Sequence, residues 1–253
     1  MEIGRRFDPF STYRLLEEKK MSVNVEDVEK TYKLGEILIP ALKGIKMELK
    51  KGEFVAVMGP SGSGKTTLLN LIGVLDKPTK GKIYIDEKDL TTLKEKELTQ
   101  LRRQTIGYIF QFYNLIPVLS ALENVELPML IAGVPKKDRV ERAFQLLETV
   151  GLADRADHRP DELSGGEQQR VAIVRALANK PSIVLADEPT GDLDTKTGKE
   201  VMHTLRNLSR LEEATVIVVT HDPVVANFAN RVFNMRDGSI VSCKQGKTHC
   251  TRA

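Results

Sequence analysis

The sequence has few cysteines, no long apolar run and little net charge. Its two cysteines, Cys243 and Cys250, cannot build a disulfide framework and are typical of a reducing compartment. No run approaches the roughly 18 consecutive apolar residues that cross a bilayer, so we do not expect the chain to span a membrane. A net charge of +3 gives no argument for nucleic-acid binding. With 41% hydrophobic residues among 253, the composition predicts a soluble, intracellular, globular protein rather than a disordered one.

The two ends of the chain differ from its middle. Residues 1–20 mix basic and acidic side chains and contain no apolar run long enough for a signal peptide. Two interpretations stay open: a poorly ordered N-terminal extension, or translation that begins at Met21, where a strand pattern starts. We expect residues 243–253 to form a frayed C-terminal tail. Cys243, His249 and Cys250 are too few ligands for a metal site, and the role of the cysteines stays open.

Short apolar runs in the middle of the chain predict a buried parallel sheet. The strand-like runs cover residues 54–58, 106–110, 183–186 and 215–220. Such near-continuous apolar strands, separated by helical patterns, are typical of a parallel sheet that is covered on both faces.

Residues 120–177 show helical patterns and no convincing strand. Ser120 and Glu123 have the spacing of a capping box, which predicts a helix start. An apolar stripe then predicts a second helix that ends at Gly151. The residues of the stripe are Val140, Ala143, Phe144, Leu147 and Val150. We therefore expect a mostly helical block inserted in an α/β core.

Residues 59–66 read G-P-S-G-S-G-K-T and fit the phosphate-loop pattern G-x-x-x-x-G-K-[ST], after a strand and before a helix. Glycines let backbone N–H groups point at phosphate oxygens, and the start of the helix attracts negative charge. We expect Lys65 to reach the β- and γ-phosphates and the Thr66 hydroxyl to bind Mg²⁺. The nucleotide-binding residues predicted in this loop are Gly59, Pro60, Ser61, Gly62, Ser63, Gly64, Lys65, Thr66 and Thr67.

An acidic pair follows the strand at 183–186. Asp187 is expected at the carboxyl edge of the sheet beside the phosphate loop, where its carboxylate suits a Mg²⁺ ion held through water. Glu188 would then polarise a water molecule that attacks the γ-phosphate. The alternative is that Asp-Glu-Pro forms a solvated turn. The long separation of Lys65 from Asp187 already differs from small GTPases and nucleotide kinases.

A third segment, L-S-G-G-E-Q at residues 163–168, opens a helix. Ser164 and Glu167 have capping-box spacing, and the two glycines leave N–H groups open to an anion. This segment alone fits a capped structural helix as well as a second anion site.

Together, these motifs resemble the ATP-binding subunit of ABC transporters over about residues 22–242. The resemblance implies an α/β fold: a P-loop NTPase (RecA-like) core with an N-terminal antiparallel β subdomain and a helical subdomain inserted at about 113–163. It places the ABC ATPase domain at residues 21–242.

The resemblance also implies roles for individual residues. Tyr32, which we expect to follow a strand, would stack on adenine. Gln111 would contact Mg²⁺ and water and sense the membrane partner. Glu188, His221 and Lys65 would act in catalysis, and the ligands of the metal would be Thr66, Gln111 and Asp187. The segment Ser164, Gly165, Gly166 and Glu167 would bind the ATP that a second copy holds in a head-to-tail dimer.

The implied function is an ATP-hydrolysing subunit, with ATP and Mg²⁺ as cofactors, that drives an integral membrane permease docked near Gln111 and the helical subdomain. It would lie in the cytoplasm, peripheral on the inner face of the membrane. Segments 110–117, 122–128 and 186–191 are similar to the lipoprotein-releasing and macrolide-export branch, which favours export or extraction from the membrane. Glu167 stands where many members have glutamine, and Tyr113 replaces a usual phenylalanine, which we expect to be neutral. The substrate, the permease and the direction are not encoded in this chain.

Two alternatives belong to other functional classes. A regulatory ATPase that drives an FtsX-type membrane protein without moving a substrate would have the same motifs. ABC ATPases that act on DNA or ribosomes have long coiled coils, two cassettes or cysteine zinc modules, and this sequence has none of these. We therefore expect no nucleic-acid partner.

Overall fold

The computed structural model describes residues 21–246, so the predicted extension at 1–20 and the residues His249 and Cys250 lie outside it. The strands are β1 (Met21–Leu34), β2 (Ile37–Lys50), β3 (Phe54–Met58), β4 (Lys80–Ile85), β5 (Lys88–Asp89), β6 (Ile106–Ile109), β7 (Ile183–Asp187), β8 (Thr215–Thr220), β9 (Arg231–Arg236) and β10 (Ser239–Gln245). The helices are α1 (Lys65–Ile72), α2 (Glu95–Thr105), α3 (Ala121–Ile131), α4 (Lys136–Thr149), α5 (Gly165–Leu177), α6 (Thr195–Leu211) and α7 (Pro223–Ala226). Short 3₁₀ turns cover Ala153–Arg155 and Pro160–Glu162. None of the helices in this range combines the length and apolar character of a membrane span.

The central sheet has six strands in the order β10-β9-β3-β8-β7-β6. The strands from β9 to β6 pair in parallel, and β10 pairs with β9 in the antiparallel sense. Alternate residues of β3 face opposite layers, as the pleat of a strand requires. Ala56 packs in the cluster that contains α5 and α6, whereas Val55 packs in the cluster that contains α1 and α2. The predicted parallel sheet, covered on both faces, is confirmed.

A second sheet lies against the α1 side of the core. Its four strands have the order β2-β1-β4-β5 and pair in the antiparallel sense. Val23, Val25 and Ile45 are almost fully buried and pack in the same cluster as Leu68 of α1. The antiparallel β subdomain that the resemblance implied is therefore present, and Tyr32 lies within β1 rather than after a strand as predicted.

The segment 113–163 contains α3, α4 and the two 3₁₀ turns, and the described chain has no strand between β6 and β7. Ser120 caps α3 as predicted: its Oγ accepts from the Glu123 N–H at 3.2 Å, while the Ser120 N–H donates to Glu123 Oε2 at 2.8 Å. One position of the predicted stripe is wrong. Phe144 is 43% exposed, and Leu146 takes its place on the buried face of α4.

Three predicted boundaries also differ from the structure. Strand β6 ends at Ile109 rather than at residue 110, and β7 includes Asp187 as its last residue. Strand β10 continues to Gln245, so the boundary at residue 242 and the tail predicted from 243 are wrong. The strand continues because Cys243 and Gln245 keep their antiparallel pairing with Phe233 and Arg231 of β9.

Asn124, a buried residue of α3 that the sequence analysis did not single out, holds the chain between β6 and α3. Its Oδ1 accepts from the Ile116 N–H at 2.7 Å. Its Nδ2 lies within 3.2 Å of the carbonyl oxygens of Ile116, Leu119 and Ser120. The side chain is fully buried, so its amide satisfies backbone groups that would otherwise lose water on folding.

The first prediction concerns the stability that Asn124 provides. Asn124→Ala removes these hydrogen bonds and leaves the Ile116 N–H without its partner, so we expect the free energy of unfolding to fall by about 3 kcal/mol. Urea unfolding measures the change. Asn207→Ala, at an exposed position of α6, is the control and should change stability by less than about 0.5 kcal/mol. Equal effects of the two substitutions would contradict the role of Asn124.

Candidate functional site

The phosphate-loop pattern forms the connection from the carboxyl end of β3 to α1. Gly64, directly before α1, has a φ of 98°, in the left-handed region that favours glycine. A methyl group at Gly64 would also stand 2.6 Å from the carbonyl oxygen of Ala41. The loop therefore needs glycine at this position both for its backbone conformation and for its close approach to the β1–β2 hairpin.

Lys65 and Thr66 open α1 beside this loop. The Lys65 Nζ donates to the carbonyl oxygens of Gly59 at 2.8 Å and of Pro60 at 3.1 Å, so the loop itself holds the ammonium group. Lys65 is only 8% exposed. The Thr66 hydroxyl donates to Asp187 Oδ1 at 3.4 Å. The structure therefore brings the predicted phosphate loop and the predicted acidic pair together.

Asp187 ends β7 at the same edge of the sheet. Burial raises its pKa above the ordinary value of an aspartate, and the charge of Glu188 adds to this rise, whereas Thr66 and Lys65 oppose it. A nearby cation would offset both causes of the increase.

Glu188 is held by the residues that end β8. Its Oε2 accepts from the Thr220 hydroxyl at 3.0 Å, and its Oε1 lies 2.8 Å from His221 Nδ1. The backbone of Glu188 has a φ of 44°, a left-handed conformation that is costly for a residue with a side chain and recurs at functional sites. The Glu188 side chain is 17% exposed, whereas His221 is 70% exposed. A carboxylate is thus fixed at the rim of the site, with one imidazole beside it.

The oxygen atoms at this edge fit Mg²⁺. Within residues 21–246, no group of three or more His, Cys, Asp or Glu side chains could hold a metal ion. Mg²⁺ does not need such a cluster, because it is usually held by one or two carboxylates together with substrate phosphates and water. The Thr66 hydroxyl and the Asp187 carboxylate supply ligands of this kind.

Gln111 contacts the loop that follows the acidic pair. A methyl group at Gly191 would stand 2.9 Å from Gln111 Nε2. The loop after β6 is thus packed directly on the loop that follows Glu188. Any shift of one of these loops must be accommodated by the other.

Tyr32 lies on β1 at some distance along the chain from the phosphate loop. Its hydroxyl donates to Asp76 Oδ2 at 2.9 Å, and its side chain is partly open, with the residue 38% exposed. Burial, followed by the carboxylate of Asp76, raises its pKa, so the hydroxyl stays protonated at neutral pH.

The segment that opens α5 forms the predicted capping box. Glu167 Oε2 accepts from the Ser164 hydroxyl at 2.6 Å and from the Ser164 N–H at 2.8 Å. These two hydrogen bonds lower the pKa of Glu167, which is therefore ionised at neutral pH. In the described chain, no hydrogen bond or ion pair joins residues 164–167 to the phosphate loop at 59–67.

Tyr113 contacts this segment through the hydroxyl that distinguishes it from phenylalanine. A methyl group at Gly165 would stand 2.8 Å from Tyr113 Oη. Burial raises the pKa of Tyr113, and the nearby charge of Asp192 contributes. That a tyrosine in place of the usual phenylalanine has no functional effect stays a prediction. Its hydroxyl, however, lies directly against Gly165, a predicted binding residue.

Arg175 is a residue of this region that the sequence analysis missed. From α5 it donates to the carbonyl oxygens of Tyr113 and Asn114, and burial lowers its pKa to about 10. Tyr113 and Asn114 have φ values of 58° and 49°, so the arginine holds two left-handed residues in place. An arginine in an amphipathic helix usually indicates a solvated face, which is why the pattern alone gives no signal here.

Comparisons with known proteins agree with this arrangement. The family described as "ABC transporter" matches residues 42–191. An "Uncharacterized ABC transporter ATP-binding protein" of Thermotoga maritima is 52% identical over 221 residues, 87% of this chain and 94% of that protein. "Macrolide export ATP-binding/permease protein MacB" of Brucella melitensis is 50% identical over 220 residues, 87% of this chain but only 34% of that protein.

A solved structure supports the same relationship. The dimeric ATP-binding cassette MJ0796 of Methanocaldococcus jannaschii, bound to ADP and Pi, superposes with a TM-score of 0.81 at 49% identity. The match covers 89% of this chain and 99% of that chain. With its phosphate loop, its acidic pair and these relatives, the chain belongs to the ABC transporter family and is an ATP-binding ATPase domain of that family.

Proposed function

We propose that two copies of this chain close head to tail around two ATP molecules, hydrolyse them with Glu188, and thereby drive a membrane permease. The observation that carries the catalytic part is the fixed position of the Glu188 carboxylate. Thr220 and His221 hold its two oxygens at 3.0 and 2.8 Å, beside the Asp187–Thr66 pair. A carboxylate that is oriented before the substrate arrives is suited to act as a general base.

In this mechanism, the loop 59–67 and Lys65 hold the phosphates of ATP, and Tyr32 receives the adenine. Glu188 accepts a proton from water as the water oxygen attacks the γ-phosphorus. The bond from that phosphorus to the bridging oxygen breaks, and ADP and phosphate leave. His221 holds the water with Glu188 and contacts the γ-phosphate. Thr66, Asp187 and Gln111 would hold Mg²⁺, which would supply positive charge that offsets the negative charge of the phosphates.

The head-to-tail dimer is supported by the segment 164–167 and by a related structure. This segment has two glycines at a helix start, where N–H groups favour an anion, and it makes no hydrogen bond to the phosphate loop of the same copy among the described residues. The related cassette MJ0796 is dimeric in its complex with ADP and Pi. We infer that Ser164, Gly165, Gly166 and Glu167 of one copy contact the ATP of the other.

The permease would dock in the groove between the core and the helical segment. This groove has a volume of about 250 Å³ and lies between α2, β6, α3 and α5. Its lining combines positive charge, from Arg102 and Arg103, with apolar surface from Leu127 and Ile131. Ile131 is 53% exposed there. This chemistry suits a short cytoplasmic helix of the permease with apolar and acidic side chains. Docking of this kind would hold the chain at the inner face of the membrane.

The relatives suggest the direction of transport. The Brucella relative is named as a macrolide export protein with an ATP-binding part and a permease part, and this chain spans about a third of that protein. We propose that the separate permease driven by this chain exports its substrate or extracts it from the membrane.

The second prediction tests the catalytic base. Glu188→Gln keeps the shape of the side chain and can still accept from Thr220, but an amide cannot take the proton of water. We expect ATP binding to persist, hydrolysis to fall at least about 100-fold, and an ATP-bound dimer to accumulate in size-exclusion chromatography. Glu200→Gln, on an exposed turn of α6, should behave as the wild type. Wild-type turnover in Glu188→Gln would refute the assignment.

The third prediction tests the phosphate loop. Lys65→Ala removes the lysine ammonium that the loop holds, so we expect the affinity for nucleotide to fall at least about tenfold, the equivalent of one charge-assisted hydrogen bond. Isothermal titration calorimetry measures the affinity. Lys199→Ala, exposed on α6, should bind within twofold of the wild type. An unchanged affinity in Lys65→Ala would count against the site.

The fourth prediction tests the docking groove. Ile131→Glu places a carboxylate in the apolar part of the groove, so we expect the tagged chain to lose the integral membrane protein with which it co-purifies from solubilised membranes. Val241→Glu on β10, where the side chain is 61% exposed, is the control and should retain that protein. Thermal unfolding of both variants shows whether the fold is intact. Retention of the partner by Ile131→Glu would contradict this docking position.

A further inference from the structure

Asp76 joins Tyr32 to the end of α1. Its Oδ2 accepts from the Tyr32 hydroxyl at 2.9 Å, and its Oδ1 pairs with Lys30 Nζ at 2.6 Å. Asp76 lies in the loop that follows α1, the helix that begins at Lys65. One short helix therefore connects the phosphate loop at its start to the partner of Tyr32 just beyond its end.

Lys30 completes the contact on the ring itself. Its Nζ lies 4.8 Å from the centre of the Tyr32 ring and also donates to the Lys77 carbonyl oxygen at 2.8 Å. A cation at this distance from an aromatic ring is attracted to its electrons. The Lys30 side chain is 12% exposed, so this contact is shielded from water. The tyrosine is thus restrained at its hydroxyl and at its ring.

Hydrogen bonds of Thr79 also join the strand that carries Lys30 and Tyr32 to the loop that carries Asp76. The Thr79 N–H donates to the Glu29 carbonyl oxygen at 2.9 Å, and the Thr31 N–H donates to Thr79 Oγ1 at 3.0 Å. Burial alone would raise the pKa of Asp76, but hydrogen bonds from Lys30, the Lys77 backbone and Tyr32 lower it below the ordinary value. The carboxylate is therefore ionised at neutral pH and can hold both partners at once.

The exposure of Tyr32 indicates what this restraint is for. Residues that only fill a core are buried, whereas Tyr32 is 38% exposed even though its hydroxyl and ring are both held. Fixing an open aromatic side chain in one orientation costs conformational entropy during folding rather than during binding. A ring that is held in this way is ready to stack on a planar ligand.

We propose that Asp76 is a positioning residue for the nucleobase: it holds Tyr32, directly and through Lys30, in the orientation in which the ring stacks on adenine. The proposal rests on the proposed role of Tyr32. The Asp76 carboxylate accepts hydrogen bonds from Lys30, Tyr32 and the Lys77 N–H and, among the described residues, from none of residues 59–66. Its loss should therefore weaken recognition of the base and leave recognition of the phosphates.

The fifth prediction compares two ligands that differ in the base and ribose. The full chain is titrated by calorimetry with ADP and with inorganic pyrophosphate, each with Mg²⁺; neither ligand requires the ATP-bound dimer or hydrolysis. We expect Asp76→Ala to lower the affinity for ADP three- to tenfold and to leave that for pyrophosphate within twofold. Tyr32→Ala should give the same pattern. The double variant should lose no more affinity for ADP than the single variant that binds ADP less tightly, because both substitutions remove the same interaction.

Controls separate this effect from general damage. Asp89→Ala is the matched control. It removes a carboxylate of β5 that pairs with Lys82 at 3.6 Å, and it should bind both ligands as the wild type does. Asp76→Asn keeps the size of the side chain but loses the charge that holds Lys30. It should also weaken ADP binding, and it provides the test if Asp76→Ala does not fold. Pyrophosphate binding reports the integrity of the phosphate loop in every variant.

The outcomes distinguish the two assignments. Wild-type affinity for ADP in both Asp76 variants, with a loss in Tyr32→Ala, would overturn the role of Asp76 and keep that of Tyr32. Equal losses for ADP and pyrophosphate in the Asp76 variants would also overturn it, because the effect would then be on the phosphates. Unchanged ADP binding in Tyr32→Ala would overturn the adenine contact itself, and the role of Asp76 with it.

Discussion

The packing of parallel strands at one edge of the central sheet is the constraint on which the site depends. β3, β7 and β8 are neighbours and run in the same direction, so the loops that leave their carboxyl ends must meet. The phosphate loop, the acidic pair and His221 leave these three ends. Residues far apart in the chain therefore come together, and the buried strands set their spacing.

Charge explains why this edge is built as it is. Asp187 and Glu188 bring two neighbouring carboxyl groups to one place, and burial with mutual repulsion raises the pKa of Asp187. A triphosphate would add more negative charge. Lys65, which the loop carbonyls already hold, and the start of α1 are positive features that oppose it. Such a balance favours binding of a nucleotide together with a divalent cation over binding of either alone.

Much of the fold and of the site could be predicted because their signals are local. The G-x-x-x-x-G-K-[ST] pattern, the capping boxes at Ser120 and Ser164 and the apolar strands each depend on a few neighbouring residues. The errors arose where tertiary context decides. Phe144 fits the helical period but lies outside the contact that α3 and α5 make with α4, and β10 extends to Gln245 because β9 offers it hydrogen-bonding partners. Asp76 and Arg175 could not be identified, since their partners are 44 and about 60 residues away.

These distant contacts share one property: each fixes a loop or side chain of the site from the element packed behind it. Asn124 holds the segment before α3, Arg175 holds Tyr113 and Asn114, and Gln111 packs on Gly191. The connection between β6 and α3 is therefore joined to α3 by Asn124 and to α5 by Arg175, and Gln111 joins it to the loop after β7. A displacement of α3 or α5 would therefore act on the loop after β6 and, through the contact of Gln111 with Gly191, on the loop that follows Glu188. This connection is a physical route by which a partner bound to the helical segment can alter hydrolysis.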